Sequence, residues 1–156
     1  MLKPGDSAPS FSLTNQFGEE VSDVDLRDRP ALLVFFPLAF TPVCEGELSA
    51  LVAAQAGLEG FGARGVGLSV DHRYALRDAA DRLGVGFDLL SDFWPHGAVA
   101  QAFGCFDEQR GHATRATFLV HDGVIASVVT AGAHAARDVA DYGLALSALL
   151  RGWLFT

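Results

Sequence analysis

The sequence predicts an α/β fold in which helices cover both faces of a central mixed β-sheet. Three observations predict it. Short apolar runs typical of strands alternate with amphipathic helical segments through the middle of the chain. The pair Asp122-Gly123 then separates two further strand-like runs, which indicates a hairpin. A last helical pattern follows this hairpin and closes the chain.

The N-terminal part of the chain predicts a small hairpin, a central strand and a long helix. Apolar and polar residues alternate over residues 11–21 around a turn-forming Asn-Gln-Phe-Gly segment, so we expect a β-hairpin at the edge of the domain. The all-apolar run at 31–36 predicts a buried central strand. A helix over 42–57 follows it, because apolar residues recur there at three- and four-residue intervals. Glycines then end the pattern.

The rest of the chain continues the alternation of strands and helices. The predicted elements are, in order, a strand at 66–70, a helix at 74–83 ended by Gly84, a strand at 87–90, a helix at 95–103, an irregular segment at 104–111, and hairpin strands at 115–121 and 124–129. The last helix carries an apolar face formed by Val139, Tyr142, Leu146, Leu149, Leu150 and Trp153.

Length and composition indicate one compact domain over residues 1–156, large enough to bury roughly 70% of its unfolded surface. The formal net charge is −8 and Lys and Arg form no run, so nucleic acid and anionic membranes are not expected as partners. No apolar run reaches the roughly 18 residues of a membrane-spanning helix, and the first residues lack the apolar core of a signal peptide. We therefore expect a cytoplasmic protein.

The two cysteines, Cys44 and Cys105, are too few for a secreted disulfide framework and lack zinc-ligand spacing. The five histidines show no ligand spacing either. These are His72, His96, His112, His121 and His134. No metal and no organic cofactor is expected.

Cys44 is a candidate nucleophile because of its place in the first turn of the predicted helix. Thr41 suits the N-cap, which would leave its hydroxyl beside the sulfur, and Pro42 suits the first helical position. Unpaired N–H groups and the helix dipole favour thiolate over thiol at this end. Pro37 ends the strand and can shield the sulfur from water. The alternative is a structural thiol, because free cysteine often packs as a small hydrophobic side chain.

The spacing Pro37-x3-Thr41-x2-Cys44 after a buried strand resembles the signature of the peroxiredoxins. Residues 36–41, the run Cys44-x-Gly46-Glu47-Leu48 and residues 90–99 are similar to the alkyl hydroperoxide reductase E type, a one-cysteine type. The similarity extends over nearly the whole chain. It implies a thioredoxin-like fold and a thiol-dependent peroxidase whose substrates are hydrogen peroxide, organic hydroperoxides and peroxynitrite. Cys44 would become a sulfenic acid, which an external thiol or redoxin would resolve.

The resemblance also implies roles for residues that the sequence alone leaves open. Arg115 matches the family's arginine at the start of a late strand, where its charge would hold the thiolate and polarise the peroxide. Without the resemblance it would be assigned to the surface. Glu47 either complements the helix dipole or holds an active-site arginine. Pro42 departs from the glycine associated with this subfamily, which puts local unfolding of the loop in doubt.

Phe93 and Trp94 are predicted to pack in a core or an interface, as aromatic residues usually do. In the family, the loop matching Phe93-Trp94-Pro95 lies near both the active site and the common dimer contact. The resemblance therefore implies a homodimer.

Two alternatives to the peroxidase remain, and within the peroxidase the role of Cys105 is open. A thioredoxin-type disulfide reductase lacks support, because no second cysteine follows Cys44 within two or three residues. A thioredoxin-fold redox sensor or binding protein would need similar residues but no turnover. Cys105 could act as a resolving cysteine, but its apolar setting favours a packed thiol. Ser49 occupies one position where some peroxiredoxins carry the resolving cysteine, and the C-terminal segment has none.

Overall fold

A computed structural model describes residues 1–132 and 134–154. The strands are β1 (Ser12–Thr14), β2 (Glu20–Ser22), β3 (Ala31–Phe35), β4 (Arg64–Ser69), β5 (Leu89–Ser91), β6 (Phe106–Asp107), β7 (His112–Ala113), β8 (Arg115–His121) and β9 (Val124–Ala131). The helices are α1 (Pro42–Gly60), α2 (Arg73–Leu83), α3 (Ala98–Phe103) and α4 (Val139–Leu154), with a 3-10 turn at Val24–Leu26.

Seven strands form one mixed sheet in the order β2-β1-β5-β4-β3-β8-β9. The central strands β3, β4 and β5 are parallel, because α1 and α2 provide the crossover connections that parallel strands need. β8 pairs antiparallel with β3, and β9 pairs antiparallel with β8 through the predicted Asp-Gly hairpin. The mixed sheet and the N-terminal β1–β2 hairpin are both confirmed.

The sheet separates two hydrophobic clusters, because successive side chains of a strand point to opposite faces. On β3, Leu33 and Phe35 join the cluster that contains α3 and the N-terminal hairpin. Leu32 and Val34 join the cluster beneath α1, α2 and α4. All of β3 is buried, as its all-apolar sequence predicts. Helices therefore cover both faces, as predicted.

Two predicted segments differ from the structure. The helix predicted from residue 95 begins at Ala98, because the buried Asp92 carboxylate accepts from the N–H groups of Val99 and Ala100 and thereby caps the helix there. Burial raises the pKa of Asp92 against the effect of these hydrogen bonds. The segment predicted as irregular contains the short β6–β7 ladder, which pairs residues 106–107 with 112–113.

Candidate active site

Cys44 is the third residue of α1 and is completely buried. The helix follows β3 after a short loop, with Thr41 as N-cap and Pro42 as its first residue, as predicted. The N–H of Glu45 donates to the carbonyl of Thr41 at 2.9 Å and closes the first turn. The N–H groups of Val43 and Cys44 precede that bond, so they have no intrahelical acceptor. The thiol thus lies at the electropositive end of a helix.

The guanidinium of Arg115 lies next to the sulfur of Cys44. Arg115 is the first residue of β8, and β8 runs antiparallel to β3, so its start lies beside the end of β3 where the loop to Cys44 begins. Alternation along β8 directs Arg115 and Thr117 to the face covered by α1. Nη1 of Arg115 donates to Sγ of Cys44 at 3.2 Å. Arg115 is buried, so the surface assignment made without the resemblance is wrong.

The buried carboxylate of Glu47 links Arg115 to a second arginine, Arg137. Nη1 of Arg115 also donates to Oε1 of Glu47, at 2.6 Å. Arg137 donates to Oε2 from its backbone N at 2.8 Å and from Nε at 2.7 Å, and to Oε1 from Nη2 at 2.9 Å. Glu47 therefore holds arginines, and the reading of it as a first-turn acid is wrong, since Glu45 occupies the first turn.

Strand pairing explains how Arg137 arrives at this site. Arg115 is paired with Ala131 at the end of β9, so the segment that follows β9 starts beside the active-site arginine. Nη1 of Arg137 donates to Oγ1 of Thr117 at 3.1 Å, and the hydroxyls of Thr117 and Tyr142 are hydrogen bonded at 2.8 Å. The network thus joins α1, β8, the segment after β9 and α4.

The ionisation of Glu47 follows from this network. Burial opposes a charged carboxyl, but the hydrogen bonds and charge of Arg137, with a hydrogen bond from Arg115, outweigh it and hold the pKa of Glu47 below its ordinary value. Two guanidiniums and one carboxylate give the buried cluster one net positive charge. This charge favours a negative charge on the adjacent sulfur.

An open pocket of about 590 Å³ lies above this cluster. Its lining residues are Pro37, Thr41, Pro42, Val43, Arg110, His112, Arg115 and His134. Thr41 lines the pocket, but its side chain does not cap α1, which differs from the prediction. Its hydroxyl donates instead to the carbonyl of Leu38 at 3.2 Å, so its oxygen lone pairs remain available on the pocket side.

The arrangement combines a buried thiol, the guanidinium of Arg115 and the unpaired N–H groups at the start of α1, next to one pocket that Arg115 and Val43 line. Such a site can stabilise a thiolate and can donate hydrogen bonds to oxygen atoms of a small molecule beside it.

Comparison with known proteins assigns the chain to a family. The model of the AhpC/TSA family matches residues 4–128. The chain belongs to the AhpC/TSA family of peroxiredoxins. It is 45% identical over 121 residues to "Alkyl hydroperoxide reductase E" of Mycobacterium tuberculosis, a match that covers 77% of this chain and 79% of the relative.

Solved structures of peroxiredoxins have the same fold. Enterococcus faecalis AhpC superposes with a TM-score of 0.88 at 26% identity, covering 96% of this chain and 93% of that one. Peroxidoxin BcpB from Mycobacterium tuberculosis superposes with a TM-score of 0.84 at 28% identity, covering 97% and 98%. The predicted thioredoxin-like fold is confirmed.

The second cysteine of this peroxiredoxin lies on the opposite face of the sheet from Cys44. Cys105 is buried in the cluster that contains α3, whereas Cys44 belongs to the cluster beneath α1. Burial, with a smaller effect from the charge of Asp92, raises the pKa of Cys105 to about 12. Both cysteines are free. The predicted apolar packing of Cys105 is observed.

The loop at residues 93–95 is on the surface and is separate from the pocket above Cys44. Trp94 is 79% exposed and Phe93 is 45% exposed, so packing in the core is excluded. Phe93 contacts His72 edge-on with ring centroids 5.0 Å apart, and His72 stacks on Tyr74 at 5.0 Å. We call His72, Tyr74, Phe93 and Trp94 the aromatic surface. The side chain of Trp153, predicted on the last helix, lies outside the described residues.

Sequence reasoning missed several polar residues that build the site, above all Arg137, Thr117 and Asp71. The carboxylate of Asp71 accepts from the backbone N of Ala39 at 2.9 Å and so holds the loop that precedes α1. None of these residues stands in a motif. Within residues 1–132 and 134–154, no helix is long and apolar enough to cross a membrane, and no group of three or more His, Cys, Asp or Glu could hold a metal ion.

Proposed function

We propose that this protein is a thiol-dependent peroxidase in which Cys44 reduces hydrogen peroxide and organic hydroperoxides, with peroxynitrite as a further substrate. The observation that carries the proposal is the contact of 3.2 Å between the buried sulfur of Cys44 and Nη1 of Arg115, a residue that lines an open pocket. Membership of the AhpC/TSA family supports it, as does the 45% identity to a protein named alkyl hydroperoxide reductase E.

In the proposed reaction the thiolate of Cys44 attacks the terminal oxygen of the peroxide. An S–O bond forms as the O–O bond breaks, the sulfur is oxidised by two electrons, and the departing alkoxide or hydroxide takes a proton to leave as alcohol or water. Negative charge moves from the sulfur to the leaving oxygen. Arg115 and the free N–H groups at the start of α1 can stabilise the negative charge on both atoms, because they are hydrogen-bond donors next to them.

The other residues at the pocket position these groups. Glu47 orients Arg115, because Nη1 of Arg115 donates to both the sulfur and the carboxylate. Thr41 offers its hydroxyl oxygen to the peroxide, and Pro37, which is buried beside the pocket, keeps bulk water from the sulfur.

An external thiol or redoxin would resolve the sulfenic acid. A thiolate attacks the sulfur of Cys44 and releases hydroxide, which gives a mixed disulfide, and a second thiol then releases Cys44. The position of Cys105 across the sheet and its raised pKa argue against an obligatory disulfide with Cys44.

We also propose a homodimer, a single domain over residues 1–156 and a cytoplasmic location. The aromatic surface supports the dimer, because exposed apolar side chains of this size in one patch are typical of an interface. The one seven-stranded sheet supports a single domain. Two free cysteines suit a reducing compartment. Sedimentation of the parent and of Trp94→Ala tests the dimer: we expect the substitution to weaken association.

Stopped-flow mixing with hydrogen peroxide tests the peroxidase. We expect rapid stoichiometric oxidation and then turnover when thiol is added. Cys44→Ser should abolish both, whereas the matched variant Cys105→Ser should retain them, since Cys105 lies outside the pocket. Parental peroxide consumption by Cys44→Ser would exclude Cys44 as the nucleophile. Oxidation without turnover under any reductant would instead identify a redox sensor.

A further inference from the structure

The pocket above Cys44 is basic, although the formal net charge of the chain is −8. Among the described residues that line it, none is Asp or Glu. Half of the lining side chains are arginine or histidine, namely Arg110, His112, Arg115 and His134. An anion entering the pocket therefore meets guanidinium groups and no carboxylate among the described lining residues.

Arg110 carries donors that are suited to a carboxylate, whereas the donor of His112 is already used. Arg110 forms an exposed ion pair with Asp107 at 3.0 Å through Nη1, and its side chain is 63% exposed, so its remaining guanidinium donors can reach a ligand. Nδ1 of His112 lies 2.9 Å from the carbonyl of Ala113. A carbonyl can only accept, so Nδ1 carries the hydrogen, and Nε2 of the neutral ring is an acceptor that offers no donor to a carboxylate.

The charge of the buried cluster changes during the proposed catalytic cycle. In the reduced protein, the thiolate of Cys44 balances the one net positive charge of Glu47, Arg115 and Arg137. Oxidation converts the thiolate to an uncharged sulfenic acid, so the positive charge is no longer balanced. The pocket therefore attracts an anion most strongly in the step in which the reductant enters.

We propose that the pocket selects a small thiol that bears a carboxylate as the reductant, an inference that rests on the proposed peroxidase function. Arg110 binds the carboxylate while the thiolate of the same molecule attacks the sulfur of Cys44. The new S–S bond forms as the S–O bond breaks, and hydroxide leaves with a proton as water. The thiol sulfur is oxidised and the sulfur of Cys44 is reduced.

The test compares two thiols on protein oxidised with one equivalent of hydrogen peroxide. The rate of reduction is measured with 3-mercaptopropionate, which carries a carboxylate, and with neutral 2-mercaptoethanol. The intrinsic reactivity of the two thiols cancels when the ratio of their rates in a variant is divided by the same ratio in the parent. For Arg110→Gln we expect this ratio to fall by about 1.5-fold to fivefold relative to the parent, the range typical of losing one exposed charge pair. High salt should lower the parental ratio in the same way.

Arg27→Gln is the matched control. Arg27 forms an equivalent exposed ion pair with Asp23 at 3.0 Å, its side chain is 53% exposed, and it does not line the pocket. The ratio of the two reduction rates in Arg27→Gln should equal that of the parent. An unchanged ratio in Arg110→Gln, or an equal fall in Arg27→Gln, would overturn the proposal.

A second experiment tests whether Arg110 binds a carboxylate of the reductant or of the oxidant. The oxidation step is measured with cumene hydroperoxide and with a carboxylated analogue of it. If Arg110→Gln changes the preference between these peroxides but not the preference between the thiols, the carboxylate belongs to the oxidant and the reductant proposal is wrong. If hydrogen peroxide forms no sulfenic acid on Cys44, it is the peroxidase function itself that fails.

Discussion

Glu47→Gln tests the buried charge cluster directly. The Glu47 carboxylate accepts four hydrogen bonds from Arg115 and Arg137. A glutamine leaves both guanidiniums without their counter-ion, and its NH2 group turns a donor toward other donors. Breaking a buried ion pair from one side costs about 3–5 kcal/mol. In a domain of this size each kcal/mol is worth about 2–4 °C, so we expect the melting temperature to fall by roughly 6–20 °C.

The assay is denaturant unfolding of the parent and of two variants. Glu45→Gln is the matched control, because Glu45 lies on the same helix but pairs with Arg82 at the surface, 2.8 Å away. Loss of an exposed pair costs about 0–1 kcal/mol. If Glu47→Gln is no less stable than Glu45→Gln, the buried carboxylate does not stabilise the two arginines and the reasoning is wrong.

The pH dependence provides an independent measurement. The pKa of Glu47 is lowered in the folded protein, so its contribution is fully present above the ordinary glutamate value of 4.5 and is lost as the pH falls through the lowered pKa. The parent therefore loses stability over this acid range, whereas Glu47→Gln lacks this loss. The stability difference between them should narrow below about pH 4.5. A constant difference down to acid unfolding would contradict the lowered pKa.

Two further predictions concern the reaction. Arg115→Ala and Thr41→Val should slow the peroxide step by far more than the roughly 30-fold that full ionisation of an ordinary thiol could account for at pH 7; recovery of either variant at high pH would show that ionisation alone was lost. After one equivalent of peroxide, mass spectrometry should find a dimedone adduct on Cys44, and loss of both thiols with a mass decrease of two protons, abolished by Cys105→Ser, would disprove this.

The nucleophile and its local setting could be predicted from the sequence, because they depend on contiguous residues. An apolar strand, a proline that ends it, an N-cap threonine and a cysteine in the first helical turn are encoded within residues 31–44. The Asp122-Gly123 hairpin and the end of α2 at Gly84, which adopts a φ of 69°, are local in the same sense. Each depends on the backbone preferences of a few neighbouring residues.

The partners of the nucleophile were decided only by the tertiary structure. Periodicity gives the face on which a side chain lies, but not which strand lies beside which. The antiparallel pairing of β8 with β3 brings Arg115 to Cys44, 71 residues away along the chain. The pairing of β9 with β8 then brings Arg137 to Glu47 across 90 residues. Because a buried carboxylate is stable only when such distant cations surround it, the role of Glu47 could not be read from its own segment.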